Sequence, residues 1–438
     1  MSDKHKHIAF LCGHFKRTED VKPENLLNLG WTLVRYGDEE RQNEKRYYYP
    51  DFVDFCYNTK MDVGCVRYTR QVDTEATIVV GKEGEQRQLS FTVREITLYF
   101  MPQQMVLYSI RVDQEVSTFD DCSALMYKLR YIDDFDKETF AVFRNVAVQP
   151  IVELYNSLKK SRLQDYTQLV ENGNKLRLFQ IVHAADGSLT SDEARRRQLY
   201  QLATFMPDAV GADEFEEDGL FADHQCREIE KNSVAVFPGW TAFALLDSFT
   251  ILATKGYTKT LEQNWVERYF GMIYIHALFQ KTCLFDFNNR FKQALNKRSR
   301  RRVSKLTSEY GIFERNCCFN KISYNFLPLL ISDIINDSLE TKDEMQQLFH
   351  IMAKERTRNE ELGRKKMNLL LMAISAVTLF SAIWDACSML NELISFDAHF
   401  GSSFRGFRIV GGAMASIVAA ILIGVFIYYY FYNRKRGY

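Results

Sequence analysis

Six polar residues sit inside an otherwise apolar stretch near the C-terminal end of this chain, and their spacing is the strongest chemical signal in the sequence. Asn368, Ser375, Thr378, Ser381, Asp385 and Ser388 fall within about half of a helix circumference at roughly 100° per residue. Polar atoms in lipid need a wet or protein-lined surface. Two arrangements supply one: hydroxyls bonding back to their own helix, or several copies of the helix surrounding an axis. The carboxyl of Asp385 cannot be satisfied in the first way, so these six residues are expected to line a pore.

Catalysis has no comparable signal. The histidines show neither His-x-x-x-His nor His-Glu-x-x-His spacing; His5 and His7 are expected in a mobile terminus, and His183, His224, His276 and His350 are isolated. Gly81 to Gly84 lacks the Lys-Ser of a phosphate loop. No nucleophile, metal cluster or phosphate cradle emerges, so an enzyme is not expected, and no metal-ligating residues are assigned.

Ligand binding is a different matter. A ligand carrying phosphate and adenine needs a cation beside an aromatic platform, which Arg67-Tyr68-x-Arg70 and Phe143-Arg144-Asn145 offer. The basic run Lys297, Arg298, Arg300, Arg301, Arg302 and Lys305 has the chemistry to hold a phosphate or meet anionic lipid, a solvated helix face being the plainer reading. The candidate ligand residues are therefore Arg67, Tyr68, Arg70, Arg144, Asn145, Arg300 and Arg301.

The elements that must position these groups begin with two membrane segments. From Met367 the chain reads MNLLLMAISAVTLFSAIWDACSML, uncharged until Asp385, and from Ile409 it reads IVGGAMASIVAAILIGVFIYYYFY without a charge. Each is long enough to cross a hydrocarbon core. Arg364, Lys365 and Lys366 precede the first and Arg434, Lys435 and Arg436 follow the second, so both termini are expected in the cytoplasm of a multi-pass protein of the inner (plasma) membrane. Gly412, Ser416, Ala420 and Gly424 make the second segment a close-packing helix.

The preceding body reads as mixed. Alternating apolar and β-branched residues between Ala76 and Val112 predict an antiparallel meander, with a hairpin turn at Met101-Pro102-Gln103-Gln104. Three- and four-residue apolar spacing predicts helices from Phe119 to about Met206 and from Trp240 to Phe326, with a loop at the acidic stretch Asp208 to Asp223. From Asp333 to Leu390 there is no proline, which permits one very long helix entering the bilayer. The expected organisation is an α+β cytoplasmic domain of a mixed part, 1–117, and a helical part, 118–332. A stalk helix, 333–366, leads to the first membrane helix, 367–390, an outer loop, 391–408, the second membrane helix, 409–432, and a basic tail, 433–438.

Composition agrees with a cytosolic body. The 438 residues hold 56 Lys plus Arg and 56 Asp plus Glu, so no whole-chain field attracts nucleic acid, and no direct nucleic-acid partner is expected. Nine cysteines without Cys-x-x-Cys spacing read as reduced thiols.

This order of parts resembles the CorA family of two-span divalent cation channels. The local likeness is Arg364-Lys365-Lys366-Met367-Asn368 opening the first span and Asn433-Arg434-Lys435-Arg436 closing the second. The family's Gly-Met-Asn signature is absent; the corresponding stretch reads Cys387-Ser388-Met389-Leu390-Asn391. The chain looks like the divergent subset found beside type III CRISPR systems. That resemblance implies a homo-oligomer, a pentamer in the family, embedded in the lipid bilayer and opened in antiviral defence by a nucleotide second messenger made from S-adenosylmethionine and ATP (SAM-AMP). The alternative it implies is a constitutive magnesium transporter gated by divalent cations at cytoplasmic carboxylates.

Overall fold

The computed structural model describes residues 4–396, apart from 82–85, 160, 171–172, 186, 190, 206–226, 228–229, 238, 255–257, 298 and 320. The expected second membrane helix at 409–432, the expected tail at 433–438, most of the expected outer loop and the acidic stretch at 208–223 therefore lie outside the described residues. Two compact units divide the chain, one ending at Leu348 and the other beginning at Phe349.

The first unit is organised by a mixed nine-stranded sheet in the order β2-β3-β4-β5-β1-β6-β9-β8-β7. It opens with β1 (His5–Lys16), then α1 (Pro23–Asn28), β2 (Thr32–Leu33), α2 (Asp38–Glu44) and α3 (Pro50–Cys56). The meander follows as β3 (Val66–Val80), β4 (Arg87–Phe100) and β5 (Met105–Val116), each pair antiparallel as the alternation predicts. At its hairpin Gln103 and Gln104 have φ of 59° and 60°, which is the conformation that two-residue turns need to match strand twist.

The helices α4 (Phe119–Arg130), α5 (Ala141–Phe143) and α6 (Gln149–Leu158) cover one face, where Leu98, Phe100, Tyr108, Leu129, Ile151 and Leu154 form one core. Then come β6 (Arg177–His183), α7 (Asp192–Thr204), β7 (Ser233–Val234), β8 (Trp240–Ala244) and β9 (Ser248–Ala253). The region predicted as helical, 118–332, thus contributes four strands, and Trp240 opens a strand where a helix was expected. The expected division at 117/118 falls inside a single sheet, because β1 pairs with β5 on one side and β6 on the other. The physical reason is burial on both faces: Ser248–Ala253 is buried at every position, its polar Ser248 and Thr250 included, so no inside–outside period long enough to distinguish it from a buried helix survives.

The opposite face is covered by a continuous helical run: α8 (Lys259–Asn264), a π-helical segment Trp265–Tyr274, and α9 (Ile275–Asn296). Phe10 and Phe270 stack with centroids 4.0 Å apart, and Phe179 lies 5.1 Å from both Phe249 and Phe270. A hairpin partner, α10 (Arg300–Cys317), and then α11 (Phe326–Ser338) precede α12 (Thr341–Phe396).

The long helix therefore starts at Thr341, eight residues later than Asp333. Glu340 takes a left-handed φ of 56°, and the Thr341 hydroxyl donates to the Asn336 backbone carbonyl at 3.0 Å, ending α11. Absence of proline permits helix continuity without enforcing it.

His5 and His7 are not in a mobile terminus, since β1 is an interior strand of the sheet. His7 is fully buried between Gln180 Oε1 at 2.9 Å and Gln114 Nε2 at 2.6 Å. Burial lowers its pKa to about 4, so Nε2–H donates to Gln180 and Nδ1 accepts from Gln114.

Candidate functional site

Strand alternation decides the fate of the Arg67-Tyr68-x-Arg70 motif. Neighbours in a strand point to opposite faces, so Tyr68 joins the core, 5.7 Å from the Phe100 ring, while Arg67 turns toward the π-helical segment. There the guanidinium Nη2 donates to the Gly271 carbonyl at 2.6 Å. It lies 5.5 Å from the ring centroid of Tyr36, 5.7 Å from Tyr57 and 5.6 Å from Tyr99, the last being its direct partner across β3 and β4. Burial pushes all three phenols up, against the pull of the guanidinium, so the cation faces neutral rings. No carboxylate pairs with Arg67 among the described residues, and its Nε is buried without a partner. The Nη2–Gly271 bond ties β3 directly to the backbone of the π-helical segment. A methyl group on Gly271 would sit 3.1 Å from Nη1, so the residue at this crossing must be small.

The other candidate ligand residues lie apart from it. Arg70 donates to the Leu29 carbonyl at 3.1 Å and Arg144 to the Phe135 carbonyl at 3.0 Å, so both guanidinia hold loops in place. Asn145 and Arg301 are exposed, and Arg300 opens α10. The structure does not gather these residues into one pocket.

A groove of about 730 Å³ occurs elsewhere, lined by Tyr155, Lys159, Ser161, Thr167, Gln168 and Asn174. That volume falls in the range of small-molecule sites. The Lys159 ammonium stands 4.7 Å from the Tyr155 ring centroid, and the Tyr155 hydroxyl donates to Gln168 Oε1 at 3.2 Å. Cation, ring and side-chain amide are thus together at the end of α6. The sequence signal was the Tyr155-x-x-x-Lys159 helical spacing, one turn apart, which looks like any amphipathic helix.

The membrane-active candidate is α12. It is long and apolar enough to cross a membrane, and none of its most apolar window is buried. Leu370, Leu371, Ile374, Val377, Phe380 and Trp384 are all about half exposed or more. Asn368, Ser375, Thr378, Ser381, Asp385 and Ser388 all fall on this one helix and are exposed. Thr378 donates to the Ser375 carbonyl at 2.9 Å, so its hydroxyl is satisfied within the helix. Asp385 has no hydrogen bond or ion pair among the described residues.

At the other end of α12, the first turn is locked to the sheet-covering helix. Lys281 of α9 and Glu344 form an ion pair at 2.9 Å with side chains only 9% and 19% exposed, and Leu348 is fully buried one turn on. Sequence reading missed this pair, since its members stand far apart in the chain and neither belongs to a motif. No family model, no curated protein and no solved structure matches this chain.

Proposed function

We propose that this protein is a membrane-anchored, self-assembling channel or membrane effector of CorA-like design, whose α+β unit receives a nucleotide and controls the conformation of α12. The observation that carries the reading is an apolar helical window long enough to cross a bilayer, none of it buried, bearing a polar arc whose Asp385 carboxylate has no partner among the described residues. Exposed apolar surface of that extent favours cover by lipid, by the apolar segment at 409–432 or by other copies of the helix. Copies packed through the polar arc place Asp385 and the hydroxyls at a shared axis; the apolar arc meets lipid.

The groove at Tyr155 and Lys159 suits a nucleotide of the SAM-AMP class: the ammonium attracts phosphate, and the amides of Gln168 and Asn174 read base edges. Ligand binding opens the assembly only if the open state binds more tightly. The Lys281–Glu344 pair is the physical link through which the body biases α12. In this reading the protein sits in the inner membrane with two spans and both termini cytoplasmic, and acts in type III CRISPR antiviral defence.

Ion flux from liposomes tests it. Nucleotide-dependent release is expected from the wild type, lost in Lys159→Glu and changed in conductance in Asp385→Ala with assembly intact. Flux unchanged in both variants, or no flux at all, overturns the proposal.

A further inference from the structure

Between residues 287 and 308 the chain carries eight Lys and Arg side chains and no carboxylate, in a protein whose overall charge is zero. The described residues among them form the facing ends of α9 and α10. The inner seam of this hairpin is apolar: Phe287, Phe291 and Ala294 are buried with Val303, Leu306 and Tyr310, and the Phe287 and Tyr310 rings meet at 5.5 Å. The seam fixes which side chains face out. Lys292, Lys297, Arg301, Arg302 and Lys305 are exposed. Arg290 is held by Asp286 at 3.2 Å and by Glu309, and Lys305 reaches Glu309 at 3.7 Å. Lys292, Lys297, Arg301 and Arg302 make no ion pair among the described residues.

Like charges at this density repel one another, and α10 has no acidic residue in its first turn to offset them. The arrangement costs local stability, and for Lys292, Lys297, Arg301 and Arg302 no ion pair among the described residues offsets that cost. We infer that the hairpin tip docks on an anionic phospholipid surface. The inference rests on the membrane reading of α12, which keeps the body and a bilayer in one compartment. Complementarity is the argument: four to eight clustered cations suit an anionic leaflet, each contributing about fivefold to partitioning. The basic residues Arg364, Lys365 and Lys366 that precede the apolar window carry the same sign, as a cytoplasmic leaflet demands. Nucleic acid fits less well, because the aromatic side chains of the tip, Phe287, Phe291 and Tyr310, are buried and offer bases no stacking surface.

The test uses the full chain in nanodiscs of phosphatidylcholine alone or with about one third phosphatidylglycerol. Cys226→Ser, Cys318→Ser and Cys387→Ser remove competing thiols, and a donor dye on Ser304→Cys reports energy transfer to a headgroup acceptor. Transfer is expected to rise at least twofold with the anionic lipid, to fall back in ~0.5 M salt, and to be lost in Arg301→Glu/Arg302→Glu/Lys305→Glu. The salt arm on the wild-type charges decides the matter if the triple variant misfolds. Transfer that is the same in both lipids overturns the docking inference alone, whereas a chain that never enters the discs overturns the membrane reading with it. Tight binding of a labelled single-stranded oligonucleotide, with lipid-independent transfer, assigns the tip to nucleic acid instead.

Discussion

Breaking the Lys281–Glu344 pair probes how the folded body holds the base of α12. The pair is 2.9 Å long, Lys281 is buried on α9, and Glu344 Oε2 is buried without a second partner. Lys281→Met keeps the apolar stem but removes the carboxylate's direct partner, leaving only the electrostatic pull of the Arg177 guanidinium to offset its charge. Breaking such a pair from one side costs roughly 3–5 kcal/mol when both groups are fully buried. Glu344 retains partial exposure, so a loss of about 2–3 kcal/mol is the reasonable scale after allowance for solvent screening. Replacing both partners, Lys281→Met/Glu344→Leu, removes both desolvation penalties and is expected to recover most of that loss. Urea denaturation of the four proteins in detergent gives the coupling energy directly, and hydrogen exchange over 341–348 shows where the loss occurs. Exchange is expected to accelerate there in the single variants more than in β1 or β5. A double variant as unstable as the sum of the singles would refute the reasoning, as would exchange that rises uniformly through the sheet.

Three buried histidines make the fold sensitive to acid. Burial lowers His7 and His276 from 6.5 to about 4 and, with help from Arg177, His14 to about 3. Below pH ~6.5 the unfolded chain takes up protons that the folded chain refuses, so stability falls as pH drops toward 4, by about 1.4 kcal/mol per unit for each histidine. His14→Leu is expected to flatten the melting temperature's decline over that window; an unchanged slope contradicts the assignment. At the β4–β5 hairpin, Gln103→Asn/Gln104→Gly supplies residues suited to positive φ, and thermal melts should show about 1 kcal/mol of added stability. Gly271→Ala crowds Arg67 and the Val266 carbonyl, at 3.1 and 3.3 Å from the new methyl group, and should destabilise by ~1–3 kcal/mol in the same melts. Arg67→Leu removes the crowding, so a double variant that recovers stability relative to Gly271→Ala would locate the strain at that contact.

The meander was legible because apolar and polar residues alternate along β3 and much of β4, β5 is rich in β-branched and aromatic residues, and the turn was marked by Pro102 and two glutamines. Interior strands were not. In β6 and β9 both faces are covered, and their buried polar residues, Gln180, Ser248 and Thr250, break the short apolar runs, so Leu178–Val182 and Ser248–Ala253 show no sustained inside–outside alternation. β1 was obscured by its terminal position and its histidines, two of which are buried against glutamine and phenylalanine. The apolar character of α12 was plain, since it is read from composition and length alone, without knowledge of contacts. The break before Thr341 was not, because it depends on a side-chain bond to Asn336 and on Glu340 accepting a left-handed turn. Of the ligand candidates, Arg67 was visible as a cation, but its three tyrosines come from distant segments and only the β3–β4 register reveals Tyr99 as its partner. The groove at Lys159 carries ordinary surface residues that no motif distinguishes.

Accessibility of spin labels along α12 tests the central claim most directly. Single labels at Ser375, Thr378 and Asp385 and at Leu369, Met372, Phe380 and Ile383 are compared in reconstituted vesicles for collision with oxygen, which dissolves in lipid, and with a water-soluble nickel chelate. The account expects the first group to meet the chelate and the second group to meet oxygen, in a helical period, with the chain resisting extraction by alkaline carbonate. Chelate access at every position, or release of the chain into the aqueous wash, would contradict it.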